Sequence, residues 1–133
     1  MDFETLQRTI KSHRDFRIPL CLWGDAGESI RLIAKDMGLQ YVSLDAHLLG
    51  PENACLFTSD SPLLPTSGEG ILLIANLSSS APVARGQALT LAFDRKLGEY
   101  RLPDGWRVMI IGDSELAKMD ITALNHLLHI HLH

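Results

Sequence analysis

Gly70-Ile-Leu-Leu-Ile-Ala75-Asn76-Leu77, Ser78 to Lys96, Leu97-Gly-Glu-Tyr-Arg-Leu-Pro-Asp-Gly-Trp106 and Arg107-Val-Met-Ile-Ile-Gly-Asp113 follow one another in the chain, and their reading decides the fold. Ile71 to Ala75 is apolar throughout and comes after the turn-forming Ser67-Gly-Glu-Gly70. That pattern predicts a strand buried on both faces, as in a parallel sheet covered by helices. Ser78 to Lys96 reads as helical, with Pro82 in the first turn, where a missing N–H costs least. Leu97–Trp106 reads as a hairpin, its Gly98–Gly105 part carrying Pro-Asp-Gly turn chemistry, and Val108–Ile111 as a second buried strand. Strand, helix, hairpin and strand make a βαβ crossover with a hairpin inserted.

Upstream, Phe3, Leu6 and Ile10 recur at helical spacing and predict an amphipathic helix over Asp2–Phe16 that packs on one face of the sheet. Lys11, Arg14 and Arg17 sit toward its C-terminal end, where they favour the dipole. A strand over 18–23 then leads through Gly24–Gly27 into a helix over Glu28–Met37, with Ile30, Ile33, Ala34 and Met37 inward and Gly38 as its stop. A strand over 39–44 follows, and Asp45 is placed to cap a short turn after it. From Gly50 to Gly70 the pattern is weak and rich in Pro and Gly, which predicts a loop with at most a short helix near Ala54–Phe57. In the central helix Val83, Leu89, Leu91, Ala92 and Phe93 form the packing face. Ala84 and Ala88 allow close approach, and Arg85, Asp94, Arg95 and Lys96 are solvated. Trp106 packs inward. The last strand covers 127–132.

The 133 residues, 46% of them hydrophobic, suffice for one domain over 1–133 with a real core. A net charge of −4 argues against nucleic acid as a partner, since a phosphate backbone calls for a basic face. No signal peptide and no bilayer-spanning apolar run occur, which predicts no membrane association and a cytoplasmic location. Cys21 and Cys55 lack metal-ligand spacing and read as a buried strand thiol and a loop thiol. His129, His131 and His133 share one face of the last strand. Three imidazoles suit a transition metal, but no acidic or Cys ligand accompanies them, so the expectation is no metal and no cofactor.

Asp94-Arg-Lys-Leu-Gly-Glu-Tyr-Arg-Leu-Pro-Asp-Gly-Trp106 closely resembles the segment between Walker B and sensor 1 of MoxR-type AAA+ ATPases. In that family an apolar run ends in Asp-Glu, a helix leads to Asp-Arg-Arg-Leu-Gly-Glu-Tyr-Arg-Leu-Pro-Asp-Gly-Trp, and a strand ends in Gly-Asn. Trp23-Gly24 and Gly27 match the start of the family's Trp-Gly-Pro-Pro-Gly, and Pro62-Leu-Leu-Pro65 resembles a Pro-x-Leu-Pro element before Walker B. The resemblance implies a three-layer α/β/α, P-loop-like domain with a five-stranded, mostly parallel sheet in the order 5-1-4-3-2. It also implies a hairpin before the fourth strand; the helical lid that follows the last strand in AAA+ proteins is expected to be absent here.

At the residues that do chemistry, this chain departs from the family. The segment after Gly24 is shorter than the family pattern by about one helical turn, and the Walker A Lys position falls on Glu28 or Ile30. Ala75 and Asn76 stand where the family has Asp-Glu, Asp113 where it has the sensor Asn, and His126 where it has the arginine finger. The vestigial nucleotide-site positions are therefore Gly24, Gly27, Glu28, Ser29, Ala75, Asn76, Asp113 and His126. An AAA+ site neutralises phosphate, positions Mg²⁺, activates water and stabilises the transition state. Ala75 cannot coordinate a metal and Asn76 cannot act as a base, so the expectation is a pseudo-ATPase and no enzyme.

The first functional expectation is an interaction or regulatory module that docks on a protein such as an AAA+ assembly, with Glu99, Tyr100, Arg101 and Leu102 as contacts. A non-hydrolysing nucleotide sensor built on the Gly24–Gly27 turn is the alternative, and a clamp-loader-like or nucleic-acid-associated subunit a further one. The last strand offers an open edge through which a second copy could pair. The small size and stripped site suit a phage or mobile-element product.

Overall fold

The computed structural model describes residues 3–13, 17–24, 26–49, 64–65, 67–97, 100–119 and 127–131. The short helix expected near Ala54–Phe57, Cys55, Glu99, His126 and His133 lie outside the described residues. In chain order the elements are α1 (Phe3–Ser12), β1 (Leu20–Trp23), α2 (Gly27–Asp36), β2 (Gln40–Asp45), a 3-10 turn (Ala46–Leu49), β3 (Glu69–Ala75), α3 (Pro82–Asp94), β4 (Lys96–Leu97), β5 (Tyr100–Arg101), β6 (Gly105–Gly112), α4 (Ser114–Ala117) and β7 (Leu128–His131).

The five-stranded sheet has the order β2-β3-β6-β1-β7, and every neighbouring pair is parallel. This is the implied order, with β2 and β7 at the edges. Successive side chains on a strand point to opposite faces, so the apolar run of β3 feeds two cores. Ile71 and Leu73 meet Leu6 and Ile10 of α1 and Ile30, Ile33 and Ala34 of α2. Leu72 and Ile74 meet Ala84, Ala88 and Leu91 of α3 and Leu49 of the 3-10 turn. The helices thus form a layer on each side of the sheet.

Helix ends follow local chemistry. At the end of α2, Gly38 takes φ +71°, its N–H bonds Lys35 O, and the Leu39 N–H bonds Ala34 O at 2.8 Å. That is the Schellman arrangement that a C-terminal glycine makes cheap. Asp45 accepts the His47 N–H at 2.9 Å and caps the 3-10 turn as expected. Arg107 donates to Ile10 O at 3.1 Å, tying the end of α1 to β6.

Several expectations need correction. Phe3 and Val83 are 41% and 55% exposed, so neither belongs to the packing face assigned to it. Small residues, Ala84 and Ala88, bring α3 flush onto the sheet instead. The helix also starts later than Ser78, because the serines before it bond backward to the backbone: Ser79 Oγ to Asn76 O and Ser80 Oγ to Leu77 O. Hydroxyls used this way favour a turn over a helix.

Arg85 and Arg95 are half-buried and bonded to backbone rather than wholly solvated. Arg85 donates to Ser80 O at 3.1 Å. Arg95 closes α3 in the left-handed region at φ 58° and donates to Pro103 O and Trp106 O. Burial, its largest influence, lowers the Arg95 pKa.

The hairpin reverses earlier than the Pro-Asp-Gly suggests. Lys96 pairs with Arg101 and Leu97 with Tyr100. Pro103 to Trp106 is a separate turn, closed by the Trp106 N–H on Pro103 O at 3.1 Å, that delivers the chain into β6. Trp106 is fully buried, as expected, and its Nε1–H donates to Ser67 O. Leu102 is buried too, which removes it from the expected contact surface.

Candidate functional site

Because all five strands are parallel, their carboxyl ends share one rim: Trp23, Asp45, Ala75, Gly112 and His131. In open α/β sheets this is the rim where ligands bind. β6 lies between β1 and β3, so the turn after β1, the exit of β3 and the exit of β6 share that rim.

At β1, Gly24 adopts φ 133°, a conformation open to glycine alone, and its N–H bonds Gly112 O at 3.2 Å. The chain then enters α2, whose N-cap, Ala26, supplies no side-chain bond. Glu28 is exposed in the first turn and bonded to Arg31 through both carboxylate oxygens. The Arg31 hydrogen bond holds its carboxyl below the ordinary range, so it is an anion at neutral pH. An acid there complements the helix dipole. Ser29 is half-buried beside it.

At β3, Ala75 ends the strand half-buried and Asn76 turns at φ 62°. Asparagine tolerates that left-handed geometry, which gives Asn76 a backbone reason to be present. At β6, Asp113 Oδ1 accepts the Leu116 N–H at 2.8 Å and so caps α4. Its Oδ2 accepts the Ser78 hydroxyl at 2.9 Å. On the outer side His47 Nε2 lies 3.0 Å from Ser79 Oγ. Ser78, Ser79 and His47 were missed in the sequence. Runs of serine after a strand are the only signal for them, and it is a weak one.

At the β1–β7 edge the Trp23 Nε1–H donates to His129 Nδ1 at 2.8 Å. The ring centroids are 5.8 Å apart at 19°, and His131 lies 6.1 Å from Trp23 at 11°. An indole N–H only donates, so a neutral His129 carries its proton on Nε2. That tautomer leaves neither nitrogen with a free lone pair for a metal. Among the described residues no group of three or more His, Cys, Asp or Glu could hold a metal ion. No helix among them is long and apolar enough to cross a membrane.

No family model matches the chain, and comparison with curated proteins gives no match. Solved structures do match. The chain superimposes on a RuvB variant from Thermotoga maritima with a TM-score of 0.57 at 12% identity, over 98% of this chain and 42% of that one. With NtrX from Brucella abortus the TM-score is 0.61 at 14% identity, over 98% of this chain and 36% of that one. Both are AAA+ ATPases. The chain has the AAA+ core fold. At such identities the likeness is one of fold, and the chain spans less than half the length of either protein.

On an AAA+ core the β1–α2 turn and the exits of β3 and β6 would surround a magnesium nucleotide. The residues present do not fit that group. Segments 24–29, 45–49, 75–81 and 112–117 contain neither Lys nor Arg. Glu28 puts an exposed carboxylate in the first turn of α2. Asp113, at the exit of β6, already accepts a hydrogen bond on each oxygen.

Proposed function

We propose that this chain is a catalytically inactive AAA+-like module that acts by binding another protein, an AAA+ assembly being one such partner. The observation that carries the reading is the Glu28–Arg31 pair: the first turn of α2 carries an exposed anion, and the neighbouring cation is bonded to it. Phosphate binding at a helix N-terminus needs the opposite sign. Ala75 offers no oxygen for Mg²⁺ and Asn76 no base, while the MoxR-like segment over Asp94–Trp106 is retained. Arg101 is exposed on β5 and Tyr100 is half-buried beside it, so the contact surface proposed is Arg101 with the accessible edge of Tyr100.

The sensor reading has one observation in its favour. Ala26 leaves the first N–H groups of α2 without a side-chain cap. Calorimetric titration with ATP and ADP, with and without Mg²⁺, separates the two. Protein at a concentration able to detect a Kd of about 100 μM should give no heat. One-to-one binding would replace the interaction module with the sensor. Partner capture should then fall with Arg101→Glu while the fold is kept; capture unchanged by that substitution would sink the hairpin surface.

A further inference from the structure

The hairpin sets Lys96 of β4 directly opposite Arg101 of β5, and Leu97 opposite Tyr100. Successive residues of a strand face opposite sides, and burial follows that alternation. Leu97 is buried and Tyr100 half-buried, while Lys96 and Arg101 are both exposed. We infer that Lys96 and Arg101 form a basic clamp for an acidic segment of a protein partner, one that brings two carboxylates to the outer face of the hairpin. The inference rests on the hairpin being the docking surface and names the chemistry of what docks there.

The argument begins with repulsion. Residues directly opposite on an antiparallel pair hold their Cβ atoms about 5 Å apart on one face, and like charges so placed destabilise the pair. A two-stranded hairpin is the element least able to bear such a cost. Among the described residues neither cation has an ion pair or a side-chain hydrogen bond to offset it. Arg95, next along the chain, is turned to other work, donating to Pro103 O and Trp106 O. Asp104 acts on Arg95, and Asp94 ends α3; both acids are exposed.

The setting selects the ligand. A guanidinium takes a carboxylate through two parallel bonds, and an ammonium takes one as a compact point charge. Two carboxylates on an extended peptide cancel the repulsion at both positions together. A phosphate backbone calls instead for a broad basic face. Here two cations stand between exposed Asp94 and Asp104, on a chain of net charge −4.

The test is an NMR titration of the whole chain with a short peptide of alternating Glu and Gly, at about 20 mM and about 200 mM salt. The peptide should shift the Lys96 and Arg101 resonances saturably, and less at the higher salt; its Gln–Gly counterpart should not. Lys96→Gln and Arg101→Gln should each weaken binding about two- to fivefold, the worth of one exposed ion pair. Lys35→Gln, which removes an exposed cation from α2, should leave binding unchanged. Lys96→Gln should also unfold at a temperature no lower than the wild type, because it relieves the repulsion; a lower one would overturn that argument. No saturable shift, equal binding of the Gln–Gly peptide, or binding unchanged in both hairpin variants would overturn the clamp. Binding of an oligothymidylate at Lys96 and Arg101 without binding of the Glu peptide would replace it with a nucleic-acid contact. Failure here is distinct from failure of the docking surface: partner capture lost in Arg101→Glu, with no response to the Glu peptide, keeps the surface and removes its acidic ligand.

Discussion

Arg95 donates through Nη2 to the carbonyl of Trp106 at 2.6 Å, and the same nitrogen reaches Pro103 O at 3.0 Å. The end of α3 is thereby fastened to the start of β6, with β4 and β5 folded between them. The Leu102 N–H on Arg95 O at 2.8 Å closes the loop from the other side. A residue read as a solvated helix-end cation is the pin of the inserted hairpin.

Arg95→Ala should therefore destabilise the protein by about 2–4 kcal/mol, from loss of charge-assisted bonds to carbonyls left half-buried. Arg95→Gly removes the positive-φ strain but not that loss, and should recover at most about 1 kcal/mol of it. Urea unfolding of both variants checks the order.

Tyr100 gives a pH signature. Its hydroxyl donates to Pro65 O, and burial pushes its pKa from 10.0 up to about 12. A raised folded-state pKa means the neutral phenol is favoured in the fold. Its contribution is whole below pH 10.0 and disappears as pH rises toward about 12. Tyr100→Phe should lose about 1 kcal/mol at neutral pH and show a smaller alkaline fall in stability than the wild type. Equal alkaline falls would contradict this.

Asp113 should behave as a cap. Asp113→Ala removes the bonds to Leu116 and Ser78 and should cost about 1–2 kcal/mol. Asp113→Asn keeps an oxygen for the Leu116 N–H and should cost less. Thermal unfolding of the pair distinguishes a capping role from one in chemistry, in which Asn would be the gain.

Gly27 and Gly112 should respond in opposite ways. A Cβ at Gly27 would meet nothing within 4 Å, whereas one at Gly112 would stand 2.5 Å from the Trp23 ring. Gly27→Ala should be neutral or stabilising by up to about 1 kcal/mol. Gly112→Ala should cost about 1–3 kcal/mol and displace Trp23, visible as a shift of its indole N–H resonance.

Much of the architecture was legible in the residues. The apolar runs of β3 and β6 have no polar face, and only a sheet covered on both sides accommodates such strands. Gly38 stopping α2 and Asp45 capping the turn after β2 are local backbone chemistry, so a short window of sequence carries them. The strand order followed from resemblance, and the superposition on AAA+ structures agrees with it. Parallel strands bring every carboxyl end to one side, which places Gly24 beside Gly112 and Ser78 beside Asp113.

What remained hidden involves partners far apart in the chain. Arg95 reaching Trp106, Tyr100 reaching Pro65 and Trp23 reaching His129 leave no periodic trace. Each is a single polar bond whose partner is chosen by where the packed elements stop. Val83 and Leu102 show the same limit for apolar side chains: spacing says that a residue is apolar, while burial depends on which neighbour arrives. Local propensity and the two-faced apolar strands were thus enough to specify a layered parallel sheet. The hairpin's pin and the Trp23–His129 bond were decided only when that sheet brought distant donors and acceptors within hydrogen-bond range.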